Sequence, residues 1–175
     1  MITVQVQNLG QVAAAISHIP SAVEKAVSSS IKKTLRQAEK EAVRNVKNRY
    51  TSPIALFKSS LSKNFSGMQG TLQSKGSALG LHKFQHSPIY RITSRGKYIK
   101  SVVVRGQGAI LKRAFKMDDR PVLFEREGEP RMPIKKMFSV SPPQMLNAPS
   151  VRDKVQSQAE RFLADNFISE VNKFL

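Results

Sequence analysis

An α+β fold is the class this sequence predicts: one domain of 175 residues, in which an antiparallel sheet is flanked by a long N-terminal helix and a C-terminal helix. Three observations predict it. Val23, Val27, Ile31, Leu35, Ala38, Ala42 and Val46 step by three or four, the spacing of one apolar stripe on a helix. Val155, Ala159, Phe162, Leu163, Phe167, Val171 and Phe174 form a second such stripe. Between the two stripes lie short apolar runs broken by Gly, Pro and Ser, the pattern of strands joined by tight turns.

Taken in order, Ile2, Val4 and Val6 alternate with Thr3, Gln5 and Gln7, which predicts a half-buried strand that Asn8-Leu9-Gly10 ends. Gln11 to Ile19 is alanine-rich and predicts a short helix limited by Pro20. Ser21-Ala22-Val23-Glu24 has capping-box spacing and opens a helix that runs to about Tyr50. Thirty residues of helix span roughly 45 Å. Its thin Ala/Val stripe suits close packing on a sheet or another helix. Lys32, Lys33, Arg36, Lys40, Arg44 and Lys47 form the opposite face, and Glu39 and Glu41 interrupt it, so it reads as a solvated surface. Ser52-Pro53 resembles an N-cap followed by Pro at the first helical position, with Ile54, Phe57 and Leu61 continuing to Leu61 or Ser62.

Residues 64–80 turn to Gly, Ser, Thr and Gln, which predicts a mobile loop or a hairpin of short strands. Leu79 to Phe84 reads as a strand that Ser87-Pro88 ends, and Ile89 to Ile99 as a hairpin turning at Ser94-Arg95-Gly96. Ser101-Val102-Val103-Val104-Arg105, β-branched on both faces, is the expected central strand. Gly106-Gln107-Gly108 turns the chain, Ala109 to Phe115 is helix or strand, and Asp118-Asp119 closes the segment as a turn. Two strands, Pro121–Phe124 and Met132–Phe138, then flank a charged Gly-Pro corner, EREGEP, and Ser141-Pro142-Pro143 stops the second. Ser150, with Asp153 three residues on, is the expected N-cap of a terminal helix from Val151 nearly to Leu175, packed on the sheet or on a neighbouring subunit.

The absence of cysteine excludes a disulfide scaffold and any thiolate metal site, and fits synthesis in a reducing cytoplasm. No run of about 18 apolar residues is present to span a membrane, and Met1-Ile2-Thr3-Val4 lacks the features of a signal peptide. The charge is lopsided: 29 Lys+Arg against 12 Asp+Glu, formally +17. From Ala42 to Met117 there is no acidic residue, while Lys97, Lys100, Arg105, Lys112 and Arg113 fall on consecutive elements of the expected sheet. A one-signed stretch of that length repels itself unless an anion lies nearby. Nucleic acid or an acidic protein supplies one, and the plainer alternative is a basic face that serves solubility. Aromatics that could stack bases are few there: Phe84, Tyr90 and Tyr98.

Catalytic sets are missing. No G-x-S-x-G, P-loop or H-E-x-x-H occurs. His82 and His86 could share a metal only on a helix, against which Gly80 and Pro88 argue, and they read as surface histidines. Arg105-Gly106-Gln107-Gly108 is too short for a phosphate-binding fingerprint. No enzymatic activity, metal or cofactor is expected.

The order of elements from Thr71 onward resembles the prophage minor tail protein Z family, among the tail-completion and neck proteins of lambda-like phages. The likeness rests on Gly76 and the apolar segment ending in Phe84; Val102–Val104 followed by Arg105-Gly106; Ala114-Phe115; the run ending in Phe124 with Arg126 after it; Arg131 with Pro133-Ile134; and Ser141-Pro142-Pro143 with Met145-Leu146. Ser139-Val140-Ser141 stands where the family tends to show Gly-Pro-Ser. The long N-terminal helix is alike more weakly. The resemblance implies a structural virion protein at the head-proximal end of the tail, completing the tail and supporting head–tail joining. It implies an α+β fold assembled into a hexameric ring, made in the host cytoplasm. The partners implied are further copies of itself, tail-tube, tail-terminator or neck proteins and the packaged DNA, with no membrane. On this reading Arg131, Met132, Pro133, Ile134, Met137 and Phe138 form the assembly interface. Met137 and Phe138 are adjacent on a strand, so one of them faces outward. Lys97, Lys100, Arg105, Lys112 and Arg113 contact DNA or an acidic partner. The alternative, from the basic stretch alone, is a free, sequence-independent nucleic-acid-binding module.

Overall fold

The computed structural model describes residues 2–5, 20–66, 68–87, 99–117 and 120–173. The short helix expected over Gln11–Ile19, most of the Ile89–Ile99 hairpin and the Asp118-Asp119 turn lie outside them.

The fold is α+β. Helix α1, Pro20–Arg49, is the expected long helix; it starts at Pro20, so Ser21 stands in its first turn and not at its cap. Val27, Ile31, Leu35, Ala38, Ala42 and Val46 are buried along one side, while Lys32, Lys33, Arg36, Lys40, Arg44 and Lys47 are exposed on the other. The terminal helix, Pro149–Val171, lies antiparallel along α1 and shares its core through Val151, Val155, Ala159 and Leu163. Polar pairs fix the register of the two helices. The Asn166 amide donates to Thr34 Oγ1 at 3.1 Å and to Gln37 Oε1 at 2.6 Å, and Lys33 pairs with Glu170. At the opposite end Arg49 donates to the Ser150 hydroxyl. Ala38, Ala42 and Ala159, small and fully buried, let the helices sit close.

The antiparallel sheet is built as three small ones. The first has the order β1 (Ile2–Gln5), β3 (Gln69–Ser74), β2 (Leu61–Ser66), so the pairing of β2 with β3 is the hairpin alternative for the Gly/Ser-rich stretch. Leu72, opposite Ile2 and Lys63, is fully buried, and Gly70 lies directly beneath Ile31 and Leu35 of α1. The second sheet is β4 (Gln85–His86), β5 (Ile99–Val104) and β6 (Gln107–Leu111); the third is β7 (Ala114–Met117), β8 (Arg120–Arg126) and β9 (Ile134–Lys136). β5 is central in its sheet, as its β-branched run predicts. Ala109–Phe115 resolves as the end of β6, a turn at Lys112-Arg113 and the start of β7. The turn expected at Gly106-Gln107-Gly108 is tighter, at Arg105-Gly106. Gly106 has φ +79°, where a Cβ would be strained, and Gln107 already belongs to β6.

Four local expectations are corrected. Leu79–Phe84 is not a strand but a 3-10 turn over Leu81–Lys83. Leu81 and Phe84 are both buried, and three residues apart they share a side in a 3-10 turn, whereas a strand would send them to opposite faces. Ser52 does not cap the short helix α2, Ile54–Ser60: Pro53 is the N-cap, the Ser52 hydroxyl points at Met145 Sδ, 3.8 Å away, and Leu61 already begins β2. The stop at Ser141-Pro142-Pro143 is itself a helix start. The Ser141 hydroxyl accepts from the Gln144 N–H and the Gln144 side chain accepts from the Ser141 N–H, capping α3, Pro142–Asn147. The terminal helix, α4, begins at Pro149 with Ala148 as N-cap, which leaves Ser150 inside it, free to accept from Arg49.

One core joins these layers. Phe57, Leu72, Ile99, Leu123, Met145 and Leu146 meet the α1 and α4 stripes in a single cluster.

Candidate functional site: a basic surface and an assembly face

β5 is tied to the C-terminus of α1. Thr51 N–H donates to Val103 carbonyl at 3.1 Å, the Thr51 hydroxyl donates to Val102 carbonyl, and Tyr50 bridges Val104. Arg105, at the end of β5, gives its N–H to Arg49 carbonyl at 2.7 Å and its Nε–H to Lys47 carbonyl at 3.0 Å. The last carbonyls of a helix have no partner within it and carry its negative end. Arg105 therefore holds the end of α1, and Lys47 and Arg49 add charge of the favourable sign there.

Lys100, exposed near the start of β5, turns its backbone toward β4: its N–H donates to Ser87 Oγ at 2.9 Å and its carbonyl accepts from Ser87 N–H at 2.8 Å. Its side chain crosses Gly108 of β6, where an added Cβ would stand 2.6 Å from Lys100 Cε. Lys112 and Arg113 form the β6–β7 turn, both exposed. With Ala114, Phe115, Arg126, Gly128 and Glu129 they line a shallow cleft. The Arg126 guanidinium lies 5.4 Å from the Phe115 ring centre, and that ring stacks on Phe124 at 6.1 Å. Glu129 is the one carboxylate among those lining residues.

Among the described residues the ion pairs are Lys33 and Lys173 with Glu170, Arg44 with Glu41, Lys63 with Glu39, Lys135 with Glu127 and Arg152 with Asp153. Lys100, Arg105, Lys112 and Arg113 enter none of them. The structure thus brings Lys112 and Arg113 together beside Arg126, and places Lys100 and Arg105 on β5. Lys97 lies outside the described residues. Lys47 and Arg49 join the surface, and two cations in the last turn of a helix are the signal that finds them.

The residues expected at an assembly interface are partly turned inward. Arg131 and Pro133 are exposed, Met132 is 66% exposed and Ile134 is half-buried opposite Arg126. Met137 packs against the core while Phe138 is 61% exposed, the split expected of adjacent residues in extended chain. β9 is shorter than the Met132–Phe138 strand predicted. Pro133 has no N–H to give; its carbonyl accepts from Glu127 N–H at 3.2 Å, and regular pairing begins only at Ile134.

His82 is half-buried, and burial first, then the charges of Lys83 and His86, hold its imidazole below the usual range. Among the described residues no three His, Cys, Asp or Glu gather where they could hold a metal, and no helix is long and apolar enough to cross a membrane. No protein-family model, curated protein or solved structure matches this chain.

Proposed function

We propose that the protein is a structural component of the head-proximal end of a phage tail, assembled as a ring, whose basic surface contacts the DNA passing through the head–tail junction. The assembly half of this reading is supported by the spaced elements from Gly76 to Leu146 and by the outward Met132 and Phe138. The DNA half is carried by one observation: Lys100, Arg105, Lys112 and Arg113 are exposed over consecutive strands and turns with no carboxylate paired to them. Lysine and arginine on phosphates position DNA without reading bases, so the contact is sequence-independent.

Titrating duplex DNA binding against salt tests it. Affinity falls steeply with salt, and the slope of log K against log salt drops by about one unit for each cation removed at Lys100, Lys112 or Arg113. Tails assembled without DNA still take up the Lys112→Ser, Arg113→Ser protein. Loss of that uptake, with an unchanged salt slope, shows instead that the charges meet a neighbouring protein.

A further inference from the structure

β6 is an edge strand of unusual composition. Its residues, Gln107-Gly108-Ala109-Ile110-Leu111, include no charge and no proline, and all but Leu111 are exposed, Ile110 by 62%. Natural sheets blunt such edges with lysine, proline or a covering segment, because bare N–H and C=O groups invite another strand. Among the described residues nothing pairs with β6 on the side away from β5.

The register shows which groups are bare. Lys100 turns its N–H and carbonyl to Ser87, on the β4 side. Ile110, opposite Lys100, is then in a non-hydrogen-bonded pair and turns its own N–H and carbonyl outward. Gly108, opposite Val102 and two residues from Ile110, does the same. The far end of this edge is cationic: Lys112-Arg113 follows it, neither paired with a carboxylate, while Arg105 before it gives its Nε–H to the Lys47 carbonyl of α1.

We infer that the outer edge of β6 is a docking edge for an extended segment of another protein, one that adds a strand through Gly108 and Ile110 and carries aspartate or glutamate where it meets Lys112 and Arg113. Main-chain pairing supplies affinity in such an addition, and flanking side chains supply selectivity. A nucleic acid has no main-chain amides to match Gly108 and Ile110. A second β6 edge, pairing with this one, would bring Lys112 and Arg113 of one copy near those of the other, like charge on like. The inference goes beyond the DNA contact proposed above, because the edge lies in the plane of the sheet whereas the Lys100 side chain stands on its face, over Gly108.

The test uses the full chain and a short fluorescent peptide of alternating valine and threonine with glutamate at both ends, its affinity read by anisotropy and its site by amide hydrogen exchange. Binding is expected to slow exchange at Gly108 and Ile110. Affinity is expected to fall at least about tenfold when the peptide's pairing amides are N-methylated, when its glutamates become lysines, and in Ile110→Pro, which removes the outward donor. Ile110→Glu, which keeps the N–H but sets a carboxylate against the peptide's glutamates, gives the same loss should Ile110→Pro fail to fold. Equal binding to wild type and both variants, or slowed exchange only elsewhere, overturns the inference. So does protection of Gly108 and Ile110 by duplex DNA or by a rise in protein concentration alone, with no effect of the peptide.

Discussion

Gly70→Ala is a single-methyl test of how α1 sits on the first sheet. A Cβ at Gly70 would stand 2.6 Å from Ile31 Cγ2 and 2.9 Å from Leu35 Cδ1. Ile31 is fully buried, and its β-branched side chain is held to few rotamers, so Cγ2 moves only if the helix moves. Replacing a strand glycine by alanine in open space would gain about 0.5–1 kcal/mol of backbone entropy. Overpacking a filled core costs about 1–3 kcal/mol. The net expectation is a loss of about 1–2 kcal/mol, because the contact falls on two buried side chains at once. For a chain of this size that lowers the thermal midpoint by about 2–8 °C. Urea unfolding should show a lower midpoint at unchanged slope. Ile31→Ala alone should cost about 2–5 kcal/mol. Because it also removes the clashing methyl, the double variant should cost less than the sum of the singles by at least about 0.5 kcal/mol. A Gly70→Ala protein as stable as wild type, or strictly additive effects, would refute the seating of α1 on β3.

Three further outcomes follow from the same structure. Hydrogen bonds from Lys173, then Lys33 and Ser29, lower the Glu170 carboxyl from 4.5 to about 2. A depressed carboxylate stabilises the fold above its unfolded pKa, and the contribution fades as pH falls from 4.5 toward 2. Glu170→Gln should thus be less stable than wild type near neutrality, with the gap closing across that window; a gap that is constant with pH would contradict it. Ser141→Ala, which removes the α3 cap, should cost about 1 kcal/mol by urea unfolding, and Ser150→Ala, which removes no cap, should cost less. Phe57→Ala, at a fully buried site, should cost about 3–5 kcal/mol; an unchanged midpoint would place α2 outside the core.

The α1 stripe was legible because a 3.6-residue period sustained over many turns has no competing reading. The segment at Leu81–Phe84 was not, since a run that short fits a strand or a turn equally, and the burial of both Leu81 and Phe84 is set by distant Met137 and the core. The signal at Ser141 is local but double-edged. Ser-Pro-Pro-Gln is a capping box with proline at the first helical positions, and the same two prolines also read as the end of a strand. Division of the strands into three sheets depends on which edges meet in space, which no local pattern carries. The basic surface was legible as a run without carboxylates. What Arg105 does within the fold was not: its partners are the carbonyls of Lys47 and Arg49, more than fifty residues away. The share of its charge committed to α1 could be seen only once the chain was folded.

A reconstruction of intact tails puts the proposed ring to the test. It should show a closed ring of copies at the head-proximal end, with Met132 and Phe138 at the junction between neighbours and Lys100, Lys112 and Arg113 lining the channel. Single unpaired copies at that position, or tails that contain none, would contradict it.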